Sequence, residues 1–257
     1  MARRGSSFLE GLLYRRSLKR WSAMADAAAQ ADLATLRGWR GRARSLRALL
    51  DRVIHQADQR LARPLPDVAA PRQPMGTDWV WRPLPWQAPL AVPGLVAPPA
   101  KAPICEGATL FHDGQRPELT LRQLRASRGD DLAQYAIRLD ALGFDGSFLS
   151  LALDLPDAAA RGLKLRHLIR LEAVVETERK LDIFARLNIK HGPNVEQLLQ
   201  EVPLTGGATM VEFDLAYSRM NEKRVEKLWL DLIFGNPQMN AITLRDVTLS
   251  RRPRADF

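Results

Sequence analysis

From about residue 107 to the end, apolar side chains recur at every second position in eight separate runs, and this period limits the fold more than any other feature. The runs are Leu119 and Leu121; Tyr135, Ile137 and Leu139; Leu149 to Leu155; and Ile169 to Val175. Then come Ile183 to Ile189, Val211 to Tyr217, Leu228 to Phe234, and Ile242 to Leu249. Alternation at period two sets one face of a strand against a core and the other toward water. Turn residues separate the runs, and no helical pattern is long enough for a parallel crossover. The expectation is a mainly β fold, a jelly-roll-like antiparallel β-sandwich over residues 107–257. In the last run the alternation slips between Leu244 and Val247, which places a bulge at Arg245-Asp246.

Residues 1–63 form a different kind of segment, a basic helical arm. They hold 14 Lys/Arg against 5 Asp/Glu, whereas the remaining residues hold 24 of each, so the whole net charge of +9 sits here. Ser7 and Glu10 have the spacing of a capping box. Tyr14, Leu18, Trp21, Ala25 and Ala28 make an apolar stripe opposite Arg15, Arg16, Lys19 and Arg20. A second stripe, Leu36, Trp39, Ala43, Leu46, Leu50, Val53 and Ala57, has heptad spacing. Gly38 and Gly41 interrupt it, each costing about 1 kcal/mol against alanine, so either a break near 38–41 or a helix held by a partner is expected. The stripes fit oligomerisation, docking on an anionic membrane surface through Arg15, Arg16, Lys19 and Arg20, or a hairpin folded back on the β domain. Nucleic acid is a less favoured partner, because no nucleic-acid module is recognisable.

Between the two lies a Pro/Trp-rich strap, residues 64–106. Eleven of the 17 prolines fall in residues 64–103, so an extended path is expected. Trp79, Trp81 and Trp86 stand within eight positions. They either tuck against the β domain or form an aromatic platform.

The chemistry-bearing residues exclude several classes. One cysteine, Cys105, allows neither an internal disulfide nor a multi-cysteine metal site. His55, His112, His167 and His191 lack metal-ligand spacing, and no phosphate loop or dinucleotide fingerprint is present, so neither metal nor cofactor is expected. Ser147 lacks the Gly-x-Ser-x-Gly elbow. The N-terminus lacks the apolar stretch of a signal peptide, which predicts a cytoplasmic protein, peripheral to the inner membrane if the arm attaches there. Asp140, Asp145, Asp154, Glu172, Glu212, Asp214 and Asp231 lie on or near strands, but nothing selects the two that a glycosidase needs. The most suggestive group is Arg186, Asn188 and Lys190, followed by His191-Gly192-Pro193-Asn194. The first three face away from Ile183, Ala185, Leu187 and Ile189, while Trp229 and Asp231 share the polar face of their own strand. An indole, planar amides and an acid on one sheet face suit a sugar, by stacking and by hydrogen bonds to hydroxyls.

The chain also contains the strings Trp79, Trp81-Arg82-Pro83, Phe144-Asp145-Gly146-Ser147-Phe148, Ile183-Phe184-Ala185-Arg186-Leu187-Asn188, His191-Gly192-Pro193-Asn194 and Asn221 to Lys227. Through them, residues 76–257 resemble a family of uncharacterised alphaproteobacterial proteins of unknown function. The family implies no activity. Asn240-Ala241-Ile242 and Leu244-Arg245-Asp246-Val247 are also similar to the closing strand of carbohydrate-binding jelly rolls, a likeness the strand alternation largely accounts for. The resulting expectation is a non-catalytic binding or scaffolding protein. Its sandwich would hold a glycan or other polymer on Trp229, Asp231, Arg186, Asn188, Lys190, His191 and Asn194, and its arm would assemble copies or attach to a surface. The alternatives are a polysaccharide hydrolase and a purely structural assembly protein.

Overall fold

A computed structural model describes residues 4–62, 73, 75–129, 131–204 and 207–254, with side chains from Gly11 onward, Gln59 and Ala62 excepted. The chain forms two compact units, Met1–Ile54 and His55–Phe257.

The first unit contains α1 (Arg4–Ala27) and most of α2 (Leu33–Ala62). Because α1 already runs at Arg4, Ser7 lies inside the helix and is not its cap; the side chains of Ser7 and Glu10 lie outside the described residues. The cap that does form belongs to α2. Asp32 Oδ1 accepts the backbone N–H groups of Ala34 and Thr35, both at 2.9 Å. The bond from Thr35, chiefly, holds the Asp32 carboxyl below its ordinary value. α2 passes through Gly38 and Gly41 without a break. Trp21, Ala25 and Ala28 of the first stripe, with Met24 beside them, meet Leu36, Trp39 and Ala43 of the second around an apolar cleft of ≈ 280 Å³.

The second unit is a two-layered antiparallel sandwich. One sheet, here sheet A, has the strand order β11-β8-β13-β6-β5-β2, with β1 also paired to β13. Its strands are β1 (Trp79–Trp81), β2 (Gly94–Val96), β5 (Glu118–Arg125), β6 (Tyr135–Gly143), β8 (His167–Thr177), β11 (Ala208–Asp214) and β13 (Asn240–Pro253). Sheet B has the order β10-β9-β12-β7-β4-β3. It is made of β3 (Lys101–Cys105), β4 (Ala108–His112), β7 (Leu149–Asp154), β9 (Ile183–His191), β10 (Asn194–Glu201) and β12 (Val225–Phe234). The expected alternation is present in seven of the runs, and in the one from Val211 over Val211 and Phe213 only, Tyr217 being exposed. Leu149, Leu151, Leu153, Leu187, Ile189, Leu230 and Leu232 of sheet B are buried in one core with Leu121, Ile137, Ile169, Leu171, Phe213 and Leu249 of sheet A. Two short helices, α3 (Leu84–Gln87) and α4 (Asp157–Ala160), complete the unit.

Five strands exceed the eight read from the sequence, namely β1, β2, β3, β4 and β10. Three of them come from the strap, which is therefore not simply extended but supplies strands to both sheets and forms α3. The run that began at Val211 is strand only to Asp214; Leu215–Tyr217 is a single helical turn capped by Asp214.

The bulge in β13 organises the strap. β6 pairs with Asn240–Leu244, and β1 takes over the same edge at Leu249–Arg251. Arg245 is the extra residue, since opposite β8 the register jumps from Leu244 to Asp246. Its guanidinium bonds Asp131 and, at 3.1 Å, Glu176. Asp246, thrown to the outer face, is buried against the fork of Arg82 at 2.8 and 3.1 Å. Where β6 stops, the carbonyl of Leu244 accepts the indole N–H of fully buried Trp86 at 2.9 Å. Trp79 and Trp81 stack on each other with ring centroids 6.4 Å apart and pack on the core. Arg251 ties the strap's start in place, bonding Asp78 at 2.8 Å and the carbonyls of Ala159 and Arg161, both at 2.9 Å. Burial, and after it the Arg251 charge, lowers the nearby His167 imidazole from its ordinary value. Of the two roles open to the strap's tryptophans, the structure has them packed against the β domain.

The Phe144–Phe148 string is a structural turn. Asp113 accepts the Ser147 hydroxyl at 2.6 Å and the Phe148 N–H at 2.9 Å, and Asp145 accepts the N–H of Gln115 at 2.9 Å. A Cβ on Gly146 would lie 2.3 Å from Asp113 Oδ1 and 2.7 Å from the backbone nitrogen of Gly114. Gly146→Ala should therefore destabilise the sandwich by about 1–3 kcal/mol through overpacking. Urea unfolding of this variant with an unchanged midpoint would refute the packing.

Candidate functional site

The candidate site lies on the outer face of sheet B. Strand pairing lines up its outward residues in rows across the sheet. One row runs Gln197, Asn188, Trp229, Asp154, and the next runs Leu199, Arg186, Asp231, Ala152, Thr109. A third runs Glu201, Phe184, Ile233, Ser150, Phe111, Lys101. In the middle of the sheet the side chains are small. Gly107, Ser150 and Ala152 floor a groove of ≈ 470 Å³, with Trp229 on one side and Phe111 and Phe148 on the other.

A hydrogen-bonded network fixes the polar side of this groove. Asp231 Oδ2 accepts Arg186 Nε at 3.0 Å, Arg186 Nη2 at 2.8 Å and Asn188 Nδ2 at 2.9 Å. All three bonds fall on one oxygen, so among the described residues Oδ1 is the acceptor left for a ligand hydroxyl. Asn188 is fully buried, and its Oδ1 accepts from Gln197 at 3.0 Å, linking β10, β9 and β12. Such a locked network keeps Arg186 in place without a ligand, which lowers the ordering cost of binding. Two more ion pairs lie on the same face, Lys227–Asp154 at 2.8 Å and Lys190–Glu226 at 2.7 Å. The ammonium of Lys101 stands 5.8 Å over the Phe111 ring.

Of the residues singled out in the sequence, Trp229, Asp231, Arg186 and Asn188 meet here, and Lys190 lies one row away, paired across to Lys227. His191 has the parity of Ile189, is buried, and leaves Nε2 without a partner. Asn194 pairs with it where β10 begins, across a two-residue turn in which Gly192 has φ 59°. These two stand off the groove. His191-Gly192-Pro193-Asn194 is thus a hairpin turn that leads into an edge strand. Phe111, Phe148, Lys101, Ser150 and Ala152 were not read as site residues. Their segments carry no chemical motif, and only the neighbour order of β12, β7, β4 and β3 brings them to Trp229.

Other candidates from the sequence sit in structural surroundings. Ser147 bonds an aspartate rather than a histidine, and His112 Nε2 donates to the Pro98 carbonyl at 3.0 Å. Burial pushes the Cys105 thiol up to about 11, far from a thiolate at neutral pH. Among the described residues no cluster of three or more His, Cys, Asp or Glu could hold a metal ion.

A model described as a family of unknown function (DUF6478) matches residues 1–257. The chain belongs to this family. Membership extends to the basic arm as well as the strap and sandwich. No curated protein sequence matches the chain. Among solved structures, the enzymatically active domain of tailspike protein 4 from bacteriophage CBA120 is similar at a TM-score of 0.40 and 7% identity. That match covers 55% of this chain and 19% of the other, so the chain spans about a fifth of that domain's length. A family 11 carbohydrate-binding module from Clostridium thermocellum, in complex with a β-1,3-1,4-mixed-linked tetrasaccharide, has a TM-score of 0.39 and 9% identity, over 60% of this chain and 92% of that one. The module TmCBM61 in complex with β-1,4-galactotriose has a TM-score of 0.32 and 13% identity, over 55% and 86%.

Proposed function

We propose that this protein binds a glycan along the outer groove of sheet B without cleaving it. The observation that carries this reading is the half-buried Trp229 ring beside the Asp231–Arg186–Asn188 network, on a face that none of the strap's tryptophans lines. A pyranose ring offers an apolar face for the indole and equatorial hydroxyls for Arg186 and for Asp231 Oδ1. The small floor of Gly107, Ser150 and Ala152 leaves room for the sugar between Trp229 and the phenyl rings. Asp154 and Asp231 both reach the groove, but they lie on adjacent strands of the same sheet face, in neighbouring rows, each already paired to a cation. A hydrolase needs its two carboxyl groups flanking the scissile bond, so the arrangement favours holding over cutting.

Titration calorimetry against a set of oligosaccharides tests the reading. Trp229→Ala should weaken binding of the best oligosaccharide by at least tenfold while moving the melting temperature little, since the ring lies on the surface rather than in the core. Unchanged affinity, or a large loss of stability, would overturn the platform. Release of reducing sugar by the wild-type protein would overturn the non-catalytic part.

A further inference from the structure

We propose that the helical arm docks on an anionic lipid surface, laying the open end of its hairpin seam into the boundary between headgroups and acyl chains. Near its turn the hairpin closes around Trp21 and Trp39. Farther out the same two stripes do not close: Tyr14, Leu18, Leu50 and Val53 are 64, 52, 51 and 66% exposed. Leu13, Leu49 and Ile54 widen this surface. An apolar seam of this extent in water marks an interaction surface.

Charge selects the occupant. Residues 11–54 carry ten Lys/Arg against three Asp, and Arg15, Arg16, Lys19 and Arg20 are exposed. A second copy would bring an equal positive excess against the first, which opposes pairing. Nucleic acid would satisfy the cations through its phosphates but leave the leucine seam in water. An anionic bilayer takes both. Its phosphates meet the arginines, and the Leu/Tyr/Val seam sinks roughly 5–10 Å into the boundary. No described helix is long and apolar enough to cross a membrane, so the arm lies on the surface.

Flotation of the full-length protein with phosphatidylglycerol/phosphatidylcholine vesicles, and with phosphatidylcholine alone, tests this at low salt. Binding to the anionic vesicles should be at least tenfold tighter. Replacing Arg15, Arg16, Lys19 and Arg20 together by Gln should weaken it at least tenfold, since each basic residue near the surface contributes about fivefold. Leu50→Gln with Val53→Gln should weaken it by a similar factor with helicity retained by circular dichroism. Equal binding to both vesicle types, no binding, or indifference to the seam variant would overturn the proposal. So would tighter binding to duplex DNA than to anionic vesicles, or a dimer that the seam variant converts to monomer.

Discussion

Trp86→Ala should unfold the sandwich at a denaturant concentration far below wild type, with a loss of about 3–5 kcal/mol. The indole is fully buried within the core cluster, and its N–H is the donor to the Leu244 carbonyl where β6 leaves the edge of β13. Two separable losses are therefore expected. Trp86→Phe keeps most of the apolar area but orphans the carbonyl, and should cost about 1–3 kcal/mol. Small domains have roughly 5–15 kcal/mol in all, so the alanine variant sits close to the limit of folding. Equilibrium unfolding in urea separates the two. If Trp86→Phe were as stable as wild type, the carbonyl contact would contribute nothing, and if Trp86→Ala were mild, α3 would be peripheral to the fold.

Arg82→Ala is expected to be similarly severe, for an electrostatic reason. Arg82 and Asp246 are 6 and 8% exposed and share two hydrogen bonds. Removing one partner strands the other charge in a site with little water, which costs about 3–5 kcal/mol. Replacing both, as Arg82→Met with Asp246→Leu, removes the stranded charge and should recover most of the loss. The single and double variants thus form a cycle with a large coupling. Additive losses in urea unfolding would mean that the pair is solvated and adds nothing to the hold on the strap.

The tryptophan-rich strap shows why part of the fold could be read directly and part could not. An aromatic cluster between prolines signals burial, because so much apolar area is costly in water, and Trp79, Trp81 and Trp86 do pack on the sandwich. Which sheet they join depends on the bulge at Arg245. That bulge was visible as a slip in parity, but the gap it opens beside β13 was not. The edge strand β10 escaped for a different reason. Asn194–Glu201 is largely exposed, with Val195 and Leu199 outward, so no apolar alternation marks it.

The groove divides in the same way. Local periodicity by itself determined that Arg186 and Asn188 share one face of β9 and that Trp229 and Asp231 share one face of β12, because side chains alternate strictly along a strand. It also determined the buried faces of the eight runs, except at Tyr217, where the chain leaves the strand and the ring is exposed. It could not determine that Asp231 lies opposite Arg186, or that Ala152, Phe111 and Lys101 complete the trough. Those adjacencies join strands up to 130 positions apart, as Lys101 and Asp231 show. Hydrogen bonding between backbones accepts any strand as a neighbour. The choice among neighbours is made by how two whole sheets bury their faces together, and that is a property of the tertiary structure.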